Sequence, residues 1–328
     1  MSFSIRHSQE QGLDLIHVED SGNGTVISLL PGFGAAVYAF SVRTGRGPEQ
    51  GPGSEQGPVF NVIDNYADLS ELQAYLGRSF KGSKLSPFPC RIREGKYRYE
   101  GREYRFSRLF PDGTAIHGLL FDKPFSVREE TITEHSAEVV MEYSYKSEDR
   151  GYPFDYSCQV RYILRADNDL EVVTSVTNLD RMTIPIADGW HPYFRLGGKV
   201  DDWRLQFHSA AIVEFDGQLV PTGRLLQYNV FETPNLIGDT FLDNCFSLKP
   251  DLVSAACEIH HPGSGLTVSF FPDSRYPYLQ IYTPPDRTSI AIENLSGAPD
   301  CFNNQMGLLL LPPGHSQIFT VRYKVGIR

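Results

Sequence analysis

The chain has 328 residues, of which 41% are hydrophobic and 21% are charged, and this balance supplies a sizeable core and excludes an intrinsically disordered protein. The formal net charge is −10, and no stripe of lysine and arginine offsets it, which excludes nucleic acid as a partner because the phosphate backbone would be repelled. The length is within reach of one large all-β unit, so we predict a single domain over residues 1–328.

The cysteines indicate a reducing compartment. They are odd in number and scattered, and no two of them form the Cys-x-x-Cys pair that zinc and redox sites use. The N-terminal segment MSFSIRHSQEQ has no apolar stretch of the kind that a signal peptide requires. We therefore predict a cytoplasmic protein. The five cysteines are Cys90, Cys158, Cys245, Cys257 and Cys301.

The first predicted elements lie in TVISLLPGFGAAVYAFSV, an uncharged stretch at residues 25–42 that is almost long enough to span a bilayer. Pro31 and the glycines after it divide the stretch, which predicts two buried strands around a turn and no membrane span. The polar, glycine-rich segment 43–58 predicts a flexible loop. In ADLSELQAYL the leucines share one face and Asp68 precedes Glu71 as in a capping box, which predicts a short helix.

Strand patterns dominate the rest of the chain. YSCQVRYIL alternates apolar and polar residues from Tyr156 to Leu164, and the same period continues in LEVVTSVTN after the turn residues ADND, which predicts a hairpin. Many short strands without strand–helix alternation indicate an all-β fold, either an antiparallel sandwich or a barrel. Further hairpin turns are predicted at Glu100-Gly101, at Asp216-Gly217 and around the PGSG segment.

Two segments before residue 120 combine a polar side chain with residues that constrain the backbone. In SKLSPFPCRIREG, Arg91 follows two prolines that prevent a regular central strand, and its guanidinium suits oxygen-rich ligands. The alternative for Arg91 is a surface ion pair with Glu94 or Glu103. In TAIHGLLF, His117 precedes Gly118, which would let another backbone or a ligand come close.

The segment DGWHPYFRL at residues 188–196 places a histidine among aromatic residues. Period-2 alternation directs Trp190 and Phe194 to one face and His191 and Tyr193 to the other. The proline between these residues cannot donate a ladder hydrogen bond, so the strand lies at an edge, at a bulge or facing a cleft. Two interpretations stay open: a histidine held rigidly toward a ligand, or a half-buried histidine that is only hydrogen-bonded.

Two carboxylates lie in the C-terminal third. In RTSIAIENLSGAP, alternation directs Ile290 and Ile292 one way and Glu293 the other. A carboxylate at the end of an apolar strand loses hydration, which raises its pKa and suits a general base; a partly solvated glutamate is the alternative. In FLDNCFSL, Asp243 lies between apolar residues and either accepts hydrogen bonds from hydroxyl groups or belongs to an Asp-Asn turn.

These segments together resemble a known family. In order, PFPCRIREGKYRYEGREY, IHGLLFDKPF, DGWHPYFRL, FLDNCFSL and IAIENLSGAPDCFN are similar to the successive motifs of the aldose 1-epimerases, also called galactose mutarotases. The resemblance rests on the order of the five motifs and runs from about residue 80 to 305. It implies a large antiparallel β-sandwich, the galactose mutarotase-like supersandwich with few short helices, and an enzyme that interconverts the α and β anomers of a free aldose.

The resemblance also implies catalytic roles. Glu293 would remove the proton from the C1 hydroxyl, His191 would protonate the ring oxygen, and His117 would hold or polarise the oxygens near C1. Opening a hemiacetal ring takes one proton from O1 and gives one to the ring oxygen, so a positioned acid and base suffice. Neither a metal nor another cofactor is implied.

Further residues would bind the sugar. The resemblance implies that Arg91 and Asp243 contact sugar hydroxyls. Tyr193 or Trp190 would provide a flat surface for the sugar ring, and alternation lets only one of these two aromatics face the cleft. The expected partner is a monosaccharide, with no nucleic acid and no membrane, and both a monomer and a homodimer are compatible with the sequence.

Three other functions stay open. A hexose-phosphate mutarotase would use the basic residues of segment 91–105, although the glutamates among them favour a self-compensated, solvated hairpin. A non-catalytic carbohydrate-binding protein would keep the aromatics and Arg91 but would need no acid–base pair. A glycoside-cleaving enzyme would use Asp243 and Glu293 as its two carboxylates, which the order of the motifs does not favour.

Overall fold

A computed structural model describes residues 2–44 and 57–327 of the chain. Most of the predicted loop 43–58 therefore lies outside the described residues. The helices in the described part are α1 (Leu69–Ser79), α2 (Cys301–Asn304) and the two 3-10 helices Arg93–Gly95 and Val200–Asp202. Neither α-helix in these two ranges is long and apolar enough to cross a membrane.

Strands make up most of the described chain. The first ten are β1 (Phe3–Glu10), β2 (Leu13–Asp20), β3 (Thr25–Leu30), β4 (Ala36–Arg43), β5 (Val59–Asn61), β6 (Ser83–Leu85), β7 (Arg91–Ile92), β8 (Lys96–Tyr99), β9 (Arg102–Arg105) and β10 (Ala115–Ile116). The next ten are β11 (Ser126–Ile132), β12 (Ser136–Lys146), β13 (Asp155–Arg165), β14 (Asp169–Asn178), β15 (Ile184–Ile186), β16 (Gly189–His191), β17 (Tyr193–Phe194), β18 (Arg204–Phe207), β19 (Ser209–Phe215) and β20 (Pro221–Leu226). The remaining strands are β21 (Asn235–Leu236), β22 (Asp243–Leu248), β23 (Cys257–His260), β24 (Leu266–Pro272), β25 (Tyr278–Tyr282), β26 (Ile290–Leu295), β27 (Leu309–Leu311) and β28 (Ser316–Ile327).

The strands form three large antiparallel sheets. The N-terminal sheet has the simple order β1-β2-β3-β4-β5. A nine-stranded sheet has the order β11-β12-β13-β14-β28-β24-β23-β18-β21. An eight-stranded sheet has the order β20-β19-β22-β25-β26-β16-β6, and β17 also pairs with β26. Three two-stranded sheets, β7 with β10, β8 with β9 and β15 with β27, complete the fold.

Local sequence explains the hairpins. β13 alternates as predicted, with Tyr156, Cys158 and Val160 buried, and it pairs with β14 from Tyr156 to Arg165. β8 and β9 are joined by Glu100 and Gly101, whose φ angles of +49° and +74° are those that a two-residue hairpin turn of type I′ needs. The hairpins predicted around Asp216-Gly217 and the PGSG segment are also present.

The two largest sheets face each other through aromatic side chains. The Trp190 ring of β16 lies 6.2 Å from the Tyr162 ring of β13. The Phe194 ring of β17 meets the Phe270 ring of β24 edge-on at 4.9 Å. These residues belong to one continuous buried cluster, whose burial supplies most of the driving force for folding. The all-β antiparallel sandwich predicted from the sequence is therefore confirmed.

The N-terminal predictions are also confirmed. The uncharged stretch at 25–42 forms β3 and β4 around a turn. Helix α1 begins after Asp68, whose carboxylate accepts the Glu71 N–H at 2.8 Å, as an N-cap residue does. Leu72 and Leu76 are buried on its inner face. This anchoring places the end of α1, with Arg78, beside the cavity described next.

Candidate active site

One cavity brings together side chains from segments that are distant in the chain. It has a volume of about 240 Å³ and lies against β16, β17, β22, β25 and β26 of the eight-stranded sheet. Its remaining wall is formed by the end of α1 and by the residues around β7 and β10. Six of the seven residues singled out in the sequence line it. They are Arg91, His117, His191, Tyr193, Asp243 and Glu293.

Trp190 is the exception. Its side chain is buried in the core against Tyr162, and it does not line the cavity. Because neighbouring residues of a strand point to opposite faces, a His191 side chain in the cavity directs Trp190 into the core. The expectation that Trp190 contacts substrate is therefore corrected, and of the two aromatics it is Tyr193 that faces the cavity.

His191 and Glu293 meet across two strands. The His191 Nε2 atom lies 3.3 Å from Glu293 Oε1, because β16 and β26 pair antiparallel with Gly189 opposite Leu295. Both residues are almost fully buried, with 5% and 2% of their surface exposed. This burial excludes the partly solvated glutamate that the sequence left open.

Burial controls the charge of this pair. Loss of hydration raises the pKa of Glu293 well above its ordinary value, the Asp243 carboxylate raises it further, and the Arg91 guanidinium opposes both effects. Loss of hydration lowers the pKa of His191 to about 3. The imidazole is therefore neutral at neutral pH without a ligand, and the contact joins a proton acceptor to a carboxyl group with high proton affinity.

Aromatic side chains fix the orientation of His191. The Tyr193 ring stacks on the His191 ring, with 5.0 Å between centroids and 10° between planes. Pro192 separates β16 from β17, and its carbonyl accepts the Ile292 N–H at 3.3 Å. The proline thus lies between two short strands that pair with β26 in the same register. Because His191 and Tyr193 on either side of it line the cavity, the strand faces a cleft, which is one of the predicted alternatives.

His117 contributes a second neutral imidazole. Its Nδ1 atom accepts the Cys90 N–H at 3.3 Å, so the ring proton belongs on Nε2, which can donate a hydrogen bond. Burial lowers the pKa of His117 well below its ordinary value, and the neighbouring His191 lowers it further. The two histidine rings lie 5.0 Å apart and nearly perpendicular.

Gly118 holds His117 in place through a close backbone contact. Gly118 has a φ of +74°, and a Cβ atom there would lie 2.3 Å from the Ser86 carbonyl oxygen. The preceding His117 also has a positive φ, +58°. The predicted close approach at Gly118 is therefore that of another backbone segment.

Arg91 and Asp243 lie on the polar wall of the cavity. Arg91 Nε is 3.3 Å from Asp112 Oδ2. The ion-pair partner of Arg91 is therefore Asp112, and not Glu94 or Glu103, the two alternatives considered from the sequence. Asp243 is the first residue of β22 and accepts a hydrogen bond from Gln280 Nε2 at 2.9 Å. Burial raises the pKa of Asp243, and Arg91 opposes this shift.

Several lining residues were not indicated by the sequence, and those with a guanidinium, hydroxyl or amide group are Arg78, Ser79, Gln280 and Tyr282. Gln280 lies directly opposite Glu293 in the pairing of β25 with β26. Its Oε1 atom is buried and has no hydrogen-bond partner among the described residues. A glutamine inside the apolar run YLQIY was the available signal, because a buried amide needs partners.

Comparison with known proteins identifies the family. Residues 59–324 match the family model described as aldose 1-epimerase. The chain belongs to the aldose 1-epimerase family. Its members are isomerases, so the chain belongs to an enzyme family and the resemblance seen in the five motifs is confirmed.

Individual proteins are similar to this chain in sequence or in fold. The protein named YihR of Escherichia coli (strain K12), described as uncharacterized, is 32% identical over 250 residues, which cover 73% of this chain and 78% of that protein. The aldose 1-epimerase of Streptococcus thermophilus is 27% identical over 348 residues, covering 94% and 92% of the two chains. A galactose mutarotase-like protein from Clostridium acetobutylicum has a solved structure that superimposes with a TM-score of 0.85, at 17% identity, covering 100% and 99% of the chains.

The site of this epimerase family member can perform proton transfer. It offers a buried carboxyl group, two neutral imidazoles, a guanidinium and a second carboxylate around one small cavity. The Glu293 Oε2 atom is buried without a hydrogen-bond partner among the described residues. Polar groups of this kind suit a ligand that is rich in hydroxyl groups.

Proposed function

We propose that the protein interconverts the α and β anomers of a free aldose by acid–base ring opening and reclosure. The observation that carries this proposal is the 3.3 Å separation between His191 Nε2 and Glu293 Oε1 inside a buried cavity. An acid and a base at this separation can reach two neighbouring oxygens of one sugar, as O1 and the ring oxygen are. Family membership supports the reaction type.

The reaction needs one proton shared by the pair. In the cavity without sugar, burial favours the uncharged arrangement, with the proton on Glu293 and a neutral His191. Transfer of that proton to His191 Nε2 creates a carboxylate and an imidazolium. Sugar hydroxyls and the Arg91 guanidinium stabilise the carboxylate, because hydrogen bonds and an opposite charge both favour the ionised form.

Ring opening then follows from the charges. The Glu293 carboxylate takes the proton from the C1 hydroxyl while the His191 imidazolium protonates the ring oxygen, and the C1 to ring-oxygen bond breaks. The open aldehyde rotates about the C1–C2 bond and closes on its other face, with the two residues in exchanged roles. Atoms and charges balance, and the residue pair returns to its starting state.

The other lining residues bind and orient the sugar. His117 Nε2–H donates to an oxygen near C1, since its Nδ1 is occupied by the Cys90 N–H. Arg91 donates to sugar oxygens, and Asp243, which also lines the cavity, accepts from sugar hydroxyls. Tyr193 presents its ring beside His191. Each polar contact fixes the ring so that its two reacting oxygens face the acid–base pair.

Polarimetry on freshly dissolved α-D-glucose and α-D-galactose tests this proposal. We expect wild-type protein to accelerate the decay of optical rotation, and His191→Ala and Glu293→Gln to lose roughly 10²- to 10⁴-fold each, the usual range for one acid or base. Equal decay with all three proteins would remove the acid–base pair from the mechanism. If the wild-type protein binds sugar but does not accelerate the decay above the protein-free rate, it is a binding protein without catalysis.

A hexose phosphate is the second candidate substrate. Two guanidinium groups, those of Arg78 and Arg91, line the cavity, and two converging cations suit a phosphate. Other basic residues of the 91–105 segment are held elsewhere: Arg93 donates to Asp216 at 2.6 Å, and Lys96 pairs with Glu94. Strong inhibition of glucose turnover by a hexose 6-phosphate would favour this candidate, and its absence would favour the free aldose.

A further inference from the structure

Three potential metal ligands meet in the candidate active site. One ligand atom each from Cys90, His117 and Glu293 lies within 4.8 Å of the other two, and all three residues are buried. They come from the residue before β7, the residue after β10 and the strand β26. The sequence did not indicate a metal site, because these residues are far apart in the chain and share no ligand motif.

The chemistry of the three groups selects a borderline-soft cation. A thiolate, an imidazole and a carboxylate are ligands that zinc accepts, whereas Mg²⁺ and Ca²⁺ prefer oxygen ligands. A thiolate and a carboxylate together carry two negative charges, which balance one Zn²⁺ ion. The complete site is then electrically neutral, which a buried position favours.

We propose that this site binds Zn²⁺ through Cys90, His117 and Glu293, and that the bound ion competes with the sugar and inhibits the enzyme. Three protein ligands leave one tetrahedral position open toward the cavity. The ion would bind the Glu293 carboxylate, which would then no longer be free to accept the proton from the sugar. Zinc binding itself does not depend on the proposed function; only the inhibition does.

A second observation points to a ligand at this place. Glu293 has only 2% of its surface exposed, and its Oε2 atom has no hydrogen-bond partner among the described residues. Glu293 and Cys90 both line the cavity. A cation at this position would satisfy an oxygen atom that is otherwise buried without a partner.

Binding has a structural cost that sets its strength. Zinc bonds of about 2.0–2.3 Å require the three ligand atoms to approach each other by roughly 1 Å. The Cys90 thiol and the Glu293 carboxyl must release their protons to solvent, and the His117 ring must present a nitrogen without a proton to the ion. We therefore expect micromolar binding, weaker than that of a structural zinc site.

Calorimetric titration of Zn²⁺ into the chelator-treated, full-length protein tests the site. We expect one zinc ion per chain, at least a tenfold loss of affinity in Cys90→Ala and Cys90→Ser, and no response to Mg²⁺. Cys257→Ala is the matched control, because Cys257 is also buried but lies on β23 of the other large sheet. A crystal soaked in zinc should show one anomalous peak between the three side chains.

Two results would overturn the proposal. One is an unchanged zinc affinity in both Cys90 variants, with their folding verified by circular dichroism. The other is an anomalous peak that appears only at a pair outside the cavity, such as His208 and Glu232, whose Nδ1 and Oε1 atoms lie 3.4 Å apart. If zinc binds as described but the zinc-free protein does not accelerate anomer exchange, the proposed function fails and the metal site stands.

Discussion

Gln280 connects the strand pairing to the polar wall of the cavity. It lies opposite Glu293 in the strand register, and its amide donates to Asp243 at 2.9 Å. The amide therefore holds the Asp243 carboxylate on the cavity wall while its own Oε1 faces no protein donor among the described residues. Both features lead us to expect that Gln280 contacts the proposed sugar substrate and positions Asp243.

Replacement of Gln280 should affect binding more than chemistry. Gln280→Leu leaves the partly buried Asp243 carboxylate without one of its donors, which costs roughly 1–3 kcal/mol. We expect KM for the preferred aldose to rise about tenfold while kcat changes little, because the Glu293 and His191 pair is intact. Polarimetric kinetics over a range of sugar concentrations measure both constants. A large fall in kcat at constant KM would show that Gln280 acts in proton transfer instead.

Gly118 illustrates a position that no other residue can occupy. Gly118→Ala would force a Cβ atom to within 2.3 Å of the Ser86 carbonyl oxygen at a φ of +74°. Gly101→Ala is the matched control, since Gly101 has the same φ but nothing within 4 Å of an added Cβ. We expect both variants to lose the roughly 1–2 kcal/mol of a left-handed residue, and Gly118→Ala to lose clearly more. Urea denaturation compares them, and equal losses would contradict the contact.

Strand β16 is tied to its neighbours by a buried ion pair. Lys84 of β6 donates to Asp188 at 2.6 Å and to the Gly189 carbonyl at 3.0 Å, and both charged side chains are fully buried. The Lys84 ammonium also lies 4.4 Å from the centre of the Trp190 ring. Tyr276 donates to the same Asp188 oxygen at 2.6 Å. These contacts fix the strand that carries His191.

Removal of one partner of this pair should destabilise the protein strongly. Lys84→Met leaves the Asp188 carboxylate buried and uncompensated, which costs roughly 3–5 kcal/mol. We expect a lower urea midpoint for Lys84→Met and partial recovery in the double variant Lys84→Met/Asp188→Leu, in which no charge is left unpaired. Arg224→Met, which removes an exposed pair with Glu214, should change the midpoint little. A Lys84→Met protein as stable as the wild type would contradict this description.

The N-terminal sheet carries a pH-sensitive histidine that is separate from the active site. His17 of β2 is buried, with Ser8 Oγ 2.7 Å from its Nε2 and Ser28 Oγ 2.9 Å from its Nδ1. Burial, more than any other effect, lowers the pKa of His17 below 6.5. The folded state therefore binds this proton less readily than the unfolded state does.

The sign of the pH effect follows from that difference. Stability from a histidine with a lowered folded pKa is complete above about pH 6.5 and is lost as the pH falls toward the lowered value. We expect the free energy of unfolding to fall between pH 7 and pH 5, and to fall less steeply in His17→Gln. Urea denaturation at several pH values measures both slopes. Identical slopes for the two proteins would contradict a buried, neutral His17.

Across the whole molecule, the sequence predicted what depends on local patterns. The period-2 alternation of β13 and the turn at Glu100-Gly101 involve neighbouring residues only, and both predictions were confirmed. Alternation also placed Trp190 and Tyr193 on opposite faces, but a pattern cannot tell which face meets the cavity. That choice is made when β16 pairs with β6 and β26.

The site contacts that the sequence did not predict arise from pairing between strands that are distant in the chain. Gln280 becomes a site residue only because β25 lies beside β26. Arg91 forms an ion pair with Asp112 because β7 pairs with β10. No spacing along the chain indicated that these two strands pair. The family resemblance supplied Asp243 and His117, whose local segments alone allowed ordinary turn or backbone roles. The meeting of Cys90 with His117 and Glu293 has no local signal at all.

The shared proton that we propose for His191 and Glu293 is tested most directly by a double-mutant cycle in polarimetry. If the two side chains act as one unit across their 3.3 Å contact, the variant His191→Ala/Glu293→Gln should be no slower than the slower single variant. The result that would contradict the shared proton is a double variant whose loss in rate equals the product of the two single losses, since the residues would then act independently.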